Sequence, residues 1–111
     1  SGKPIGSAVQ VNTGTLGSQG SPRLVALSGG RLGVAWIQDE GATRHHRIRW
    51  YGAAGTPLTA VQTLRSDTEI YDPAGFDMAR MKDGRVVQVW RSYDKAASRY
   101  HIRGEFLTPP N

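Results

Sequence analysis

Cations interleaved with aromatic rings form the part of this sequence whose residue types are best suited to ligand chemistry. Segment 44–51 reads Arg-His-His-Arg-Ile-Arg-Trp-Tyr, and segment 99–103 has a similar character, Arg-Tyr-His-Ile-Arg. Guanidinium groups bind carboxylates and phosphates through paired hydrogen bonds, and aromatic faces stack on cations or sugar rings. The competing interpretation is an exposed strand whose basic side chains discourage edge-to-edge aggregation. The candidate ligand-binding residues are Arg47, Arg49, Trp50, Tyr51, Tyr100 and Arg103.

Two of the three tryptophans occupy matching positions in similar segments. Trp36 ends the run 27–36, and Trp90 ends the similar run 81–90. We expect both rings to be buried anchors in like surroundings, because large aromatic side chains dominate small β cores. Trp50 has Gly104 at its matching position, which makes Trp50 the better candidate for an exposed contact.

The histidines do not form a metal-binding pattern. His45 and His46 are adjacent, so on a strand their side chains project to opposite faces and cannot bind one ion. A zinc site needs three or more protein ligands. We predict neither a metal nor a cofactor.

Carboxylates in two matching segments are the candidates for acid–base chemistry. Glu40 aligns with Asp94, and such a pair hydrolyses glycosides when held several ångströms apart. No Gly-x-Ser-x-Gly elbow or phosphate-binding glycine loop accompanies them. We therefore predict a protein that is not an enzyme, and the alternative is a glycosidase- or sialidase-like fragment. The other acidic candidates are Asp39, Asp67, Glu69 and Asp72.

An internal repeat organises these residues. Run 27–36, Leu-Ser-Gly-Gly-Arg-Leu-Gly-Val-Ala-Trp, returns about 54 residues later at 81–90 as Met-Lys-Asp-Gly-Arg-Val-Val-Gln-Val-Trp. Ile48-Arg49 returns at the same offset as Ile102-Arg103, and Ala-Val-Gln occurs at 8–10 and again at 60–62. A repeat of this length built from short strands is typical of β-propeller blades.

Each repeat is predicted to form four strands. In the first these are 22–27, 31–37, 47–51 and 58–64, and in the second 85–91 and 101–106 match the middle two. Gly29-Gly30 and Asp83-Gly84 suit two-residue hairpin turns. Polar loops are expected at 38–43 and 92–98, and Ile48 and Ile102 are both expected to point inward. We expect no helix longer than a turn or two.

The predicted fold class is all-β, with two tandem four-stranded antiparallel blade-like repeats. We interpret 1–111 as a single domain with an N-terminal closing strand at 3–13, a first repeat at 14–64 and a second at 65–111. Two blades cannot close a ring, since propellers have about four to eight. The chain is therefore propeller-like and closed by oligomerisation, excised from a longer array, or a compact eight-stranded sandwich or barrel if it is monomeric.

The spaced pattern Pro22, Gly-Arg, Trp36, Ile-Arg and Gly55, preceded by Val-Gln-Val-Asn-Thr, resembles the tandem blade-like repeats of about 50 residues found in bacterial secreted and surface proteins. This resemblance implies a propeller-type fold, a binding or adhesive role and a secreted or cell-surface location. The chain lacks the Gly-His and Trp-Asp pair and the Ser-x-Asp-x-Gly-x-x-Trp box of better-marked propeller families.

Charge and composition limit the classes of partner that this protein is expected to bind. The formal net charge is +5, with 14 basic and 9 acidic residues, which favours an anionic partner. The basic residues are less dense than in a dedicated nucleic-acid binder, and no apolar run is long enough to insert into a membrane. We therefore predict a non-catalytic module that binds carbohydrate or an anionic surface polymer. The remaining alternative is a purely structural repeat that assembles as a homo-oligomer.

Overall fold

Seven antiparallel strands in two sheets make up the part of the chain that the computed structural model describes, residues 9–12, 18–40, 43–67, 76–94 and 96–110. The four-stranded sheet, sheet 1, has the order β1-β2-β3-β4, and the three-stranded sheet, sheet 2, has the order β5-β6-β7. The all-β prediction is confirmed, and the two sheets do not close on each other. The strands are β1 Ser18–Ala26, β2 Leu32–Glu40, β3 Thr43–Tyr51, β4 Gln62–Asp67, β5 Phe76–Arg80, β6 Val86–Asp94 and β7 Arg99–Leu107.

Glycine-containing turns join the first two strands of each sheet, as predicted. The Leu27 N–H donates to the Arg31 carbonyl, and the Met81 N–H donates to the Arg85 carbonyl, each at 2.8 Å. Gly84 has a φ of +92°, a backbone conformation that other residues adopt only with strain. Each turn therefore places three residues between its hydrogen-bonded ends, rather than the two expected from sequence.

Several strand ends differ from the sequence prediction. The polar loop expected at 38–43 is mostly strand, because β2 and β3 remain paired as far as Glu40 and Thr43. Of the loop expected at 92–98, residues 92–94 are strand and residues 96–98 form a turn. The fourth strand lies later than predicted, at Gln62–Asp67, after a turn at residues 52–61. Of the predicted closing strand 3–13, residues 9–12 are not strand, and the remainder lies outside the described residues.

The core lies between the two sheets, where one face of each is buried; we call these the inner faces. Sheet 1 contributes Val25, Leu27, Ala35, Ile37, Ile48 and Trp50, and sheet 2 contributes Phe76, Met78, Val86 and Trp90. Arg23 of β1 also crosses the gap, since its Nε donates to the Phe76 carbonyl at 3.0 Å. Apolar burial and this hydrogen bond together hold the sheets face to face.

A polar pair occupies the centre of this apolar interface. His46 of sheet 1, which is only 1% exposed, forms a hydrogen bond with the Gln88 side chain of sheet 2. The His46 ring meets the Phe76 ring edge-on at a centroid distance of 4.4 Å. The guanidinium of Arg65 lies 3.4 Å from the centre of the Trp90 ring. Burial, with a smaller contribution from the Arg65 charge, lowers the pKa of His46 from 6.5 to about 3.

The two sheets use different faces for this interface. In β6 the residues Val86, Gln88 and Trp90 point inward, whereas in β2 the inward residues are Ala35 and Ile37. Trp36, although buried, therefore lies on the other face of its sheet, the outer face. The expectation that Trp36 and Trp90 have like surroundings is wrong, because both strands are apolar on both faces and the sheets present opposite faces to each other.

Candidate functional site

Three of the six predicted site residues lie on the outer face of sheet 1. Arg47 pairs across the strands with Trp36, Arg49 pairs with Val34, and Tyr51 pairs with Leu32. Residues paired in this way project to the same side of a sheet. The basic and aromatic alternation of β3 therefore does place cations beside rings on one surface.

Arg49 holds neighbouring backbone segments on this surface. Its Nε donates to the Thr59 carbonyl at 3.0 Å, and its Nη1 donates to the Val11 carbonyl at 3.2 Å. The guanidinium carbon lies 5.8 Å from the centre of the Tyr51 ring, and that ring is itself buried. These contacts give Arg49 and Tyr51 a structural role in fixing residues 9–12 and the 52–61 turn.

Trp50 is buried in the core, so the expectation of an exposed ring is wrong. It is 3% exposed, and its Nε1 donates to Gln62 Oε1 at 3.2 Å. Side chains alternate along a strand, so Trp50 must share the inner face with Ile48. The same alternation, applied to the inward assignment of Ile48, would have placed Trp50 in the core from the sequence alone.

Tyr100 and Arg103 lie on β7 of sheet 2, whereas the other four predicted residues lie on β3 of sheet 1. Arg103 pairs with Trp90, so it lies on the inner face of sheet 2, where it is exposed outside the core. Tyr100 projects to the outer side, where the Arg91 guanidinium carbon lies 4.2 Å from its ring centre. The six predicted residues are thus divided among four sheet faces and do not form one site.

A hydrogen-bonded relay that the sequence did not predict links three strands of sheet 1. His45 Nε2 lies 2.9 Å from Glu40 Oε2, and His45 Nδ1 lies 2.6 Å from Ser66 Oγ. Gln38 donates to the other Glu40 oxygen at 2.7 Å. The connectivity is that of an acid–histidine–serine group, but Ser66 is exposed on a sheet face. These hydrogen bonds join β2, β3 and β4.

The remaining acidic candidates are distributed differently. Asp39 forms an ion pair with Arg44 across the β2–β3 hairpin, at 3.5 Å. The side chains of Asp67 and Asp94, and residues 69 and 72, lie outside the described part of the chain. The pairing of Glu40 with Asp94 stays a prediction.

A polar cleft of about 290 Å³ lies between the two glycine turns. The β1–β2 turn, the β5–β6 turn and the C-terminal segment all contribute to it, and we call it the turn cleft. Both sheets must be in place for the cleft to exist. Its lining residues are Ser28, Arg31, Asp83, Gly84, Arg85, Thr108 and Pro109.

Hydrogen bonds fix the charged groups of the turn cleft. Arg31 donates from Nε to the Ser28 carbonyl at 3.1 Å and from Nη1 to the Pro110 carbonyl. Arg85 donates from its backbone N–H and from Nε to the two Asp83 oxygens, at 3.1 and 2.8 Å. These two bonds, the backbone one first, hold the pKa of Asp83 below its ordinary value. The cleft therefore presents two fixed cations, one ionised carboxylate and the hydroxyls of Ser28 and Thr108.

Sequence reasoning did not select Arg31 and Arg85 as site residues, although a signal was present. Both arginines follow the turn glycine in the repeated run, at 31 and 85. The sequence did not show that the two turns lie at the same end of the packed sheets.

Comparison with known proteins gives no relative: no protein family, curated protein or solved structure matches this chain. Within the described residues, no three His, Asp or Glu side chains come together as a metal site. No helix in that part of the chain has the length and hydrophobicity needed to cross a membrane.

Proposed function

We propose that this protein is a non-catalytic binding module for a carbohydrate or an anionic surface polymer. The turn cleft is the observation that carries the proposal. It combines two guanidinium groups, a carboxylate and two hydroxyls in a space of about 290 Å³, and these groups match the hydroxyls and carboxylates of an acidic sugar.

The charge of the cleft favours an acidic ligand over a neutral one. Arg31 and Arg85 outnumber Asp83, and Asp83 is already satisfied by two bonds from Arg85. An incoming carboxylate would therefore be attracted by the excess positive charge, which agrees in sign with the formal net charge of +5. The ligand class that fits is an oligosaccharide containing uronic acids.

The chain is, in this proposal, two consecutive blades of a propeller-like array in a bacterial secreted or surface protein. Two features support the blade interpretation: the meandering strand order within each sheet, and the inter-sheet interface formed from unlike faces. Neighbouring blades of a propeller pack in this front-to-back manner because each blade follows the last by rotation.

The binding proposal is tested by titrating the protein with an oligogalacturonate and with a neutral oligosaccharide of equal length. We expect calorimetry to detect binding of the acidic ligand only. Arg85→Gln should weaken it roughly ten- to a hundredfold, since a hydrogen bond to a charged group is worth about 1.5–3 kcal/mol. Arg80→Gln is the matched control, because it removes the same charge from an exposed position of β5.

Three outcomes would contradict the proposal. Equal loss of affinity in Arg85→Gln and Arg80→Gln would show that net charge alone attracts the ligand. No binding of any acidic polymer would remove the ligand from the proposal altogether. Cleavage of chromogenic glycosides that is abolished by Glu40→Gln would favour the glycosidase alternative instead.

A further inference from the structure

The two faces that form the buried interface between the sheets have counterparts in the two outer faces of the molecule. In the buried interface, sheet 1 contributes the face that contains Ala35 and Ile48, and sheet 2 contributes the face that contains Met78 and Trp90. The partners of these residues at the repeat offset are Val89, Ile102, Leu24 and Trp36. All four lie on the outer faces.

Exposure is inverted in three of these four repeat pairs, whereas Trp36 and Trp90 are both buried. Ile48 is fully buried and Ile102 is 76% exposed, while Met78 is 9% exposed and Leu24 is 65% exposed. The residue types stay apolar although the surroundings differ. Each outer face thus keeps the character of a face that is buried at the centre of the molecule.

The outer face of sheet 2, which we call the tail face, is rich in apolar side chains, with Asp77 and the guanidinium groups of Arg85 and Arg91 beside them. Val87 pairs with Ala79 on one side and Phe106 on the other, and Val89 lies in the next row of the same face. Ile102 and Phe106 each expose more than half of their surface. A face this rich in exposed apolar side chains is uncommon on a monomer and marks an interaction surface.

The outer face of sheet 1, which we call the head face, contains a recess. A cleft of about 220 Å³ is lined there by Val34 and Trp36 and by Pro22 and Gly20 of β1, with Val11 and Asn12 at its edge. Trp36 Nε1 and Arg47 Nε are buried there with no hydrogen-bond partner. The tail face carries the carboxylate of Asp77, whose charge is opposite to that of Arg47 on the head face.

We infer that the tail face of one molecule docks on the head face of a second copy of this chain. The contact repeats the packing already present between sheet 1 and sheet 2, so the observed interface supplies both its geometry and its residue types. Because the two faces are different, the association is head-to-tail, and it yields a ring where the rotation closes and a filament where it does not. The inference does not depend on the ligand of the turn cleft.

Sedimentation velocity on single-substitution variants tests the inference. We expect the wild-type protein to associate as its concentration rises, and Ile102→Lys on the tail face and Leu24→Lys on the head face each to remain monomeric. Both positions are exposed, so a charge there does not disturb the fold. Ala54→Lys, at an exposed turn position, is the matched control and should associate like the wild type.

Mixing the two monomeric variants gives the decisive result. Ile102→Lys retains a working head face and Leu24→Lys retains a working tail face, so an equimolar mixture should form a one-to-one dimer and stop there. A wild-type protein that stays monomeric at all soluble concentrations would overturn the inference. Self-association of Leu24→Lys alone would also overturn it, because that result requires two identical tail faces to meet.

Discussion

The buried histidine at the centre of the molecule should make the stability of this protein fall as the solution is acidified. His46 has a pKa of about 3 in the folded protein and an ordinary value of 6.5 when the chain unfolds. The folded state therefore holds His46 neutral, whereas the unfolded chain takes up a proton below about pH 6.5. Unfolding thus becomes more favourable as the pH drops from about 6.5 toward 3.

The size of the effect follows from the separation of the two pKa values. Linkage gives a loss of about 2 kcal/mol at about pH 5, relative to neutral pH, from this one group. For a domain that is stable by about 5–15 kcal/mol, such a loss is readily measured.

Urea denaturation of the wild type and of His46→Gln, at about pH 7 and about pH 5, isolates this contribution. Other titrating groups affect both proteins and cancel in the difference between their free energies of unfolding. The glutamine keeps a neutral polar group beside Gln88. Its shape differs from that of the imidazole ring, so imperfect packing should make the variant less stable at neutral pH. Its deficit should shrink by about 2 kcal/mol on acidification.

A deficit that does not change with pH would refute the reasoning, since it would mean that His46 takes up its proton in the folded state as easily as in the unfolded chain. The packing of β3 against β6 would then have to be different. His46→Asn serves as a second neutral variant, and agreement between the two would exclude an effect peculiar to glutamine.

Three further predictions concern the core and the relay. Gly33→Ala should destabilise the protein by about 1–3 kcal/mol in urea denaturation, because a Cβ there would lie 2.6 Å from Trp50 Cζ3; an unchanged midpoint would contradict the burial of that ring. Acrylamide should quench tryptophan fluorescence weakly until the protein unfolds, since all three rings are buried, and strong quenching of the native protein would place one of them in solvent. A fluorophosphonate probe should leave Ser66 unlabelled, whereas labelling that is lost in His45→Ala would show that the Glu40 relay activates the serine.

The strands and turns could be predicted because their signals are local. Alternation of side chains locates β2, β3, β6 and β7, and the turn glycines locate the hairpins, since each depends only on residues close in the chain. The residues at which strands end were harder to predict. β2 and β3 extend beyond the predicted limits because pairs such as Asp39 with Arg44 form across the hairpin, which no single segment reveals.

The direction in which each sheet faces could not be predicted from the sequence. β2 carries apolar side chains on both faces, so the pattern alone does not decide whether Ala35 or Trp36 meets the neighbouring sheet. The same ambiguity made Ile102 look like a core residue, although it is largely exposed. Only the long-range packing of one sheet on the other decides between the faces.

The candidate site was predictable in residue type but not in position. The sequence prediction selected arginines of β3 and β7, yet Arg49 is bound to the Thr59 and Val11 carbonyls within the chain. Arg31 and Arg85 line one cleft because two turns, distant in sequence, lie at the same end of the molecule. That proximity is a tertiary property, and short motifs do not encode it.

An interface made from unlike faces has a bearing on how such proteins change length over evolution. A duplicated gene segment that adds one more sheet brings with it both the surface needed to join its predecessor and the surface needed to receive a successor. Neither surface would then have to evolve separately, which would favour gains and losses of whole sheets over changes inside one. Selection would then act mainly on how the terminal sheets are shielded from solvent.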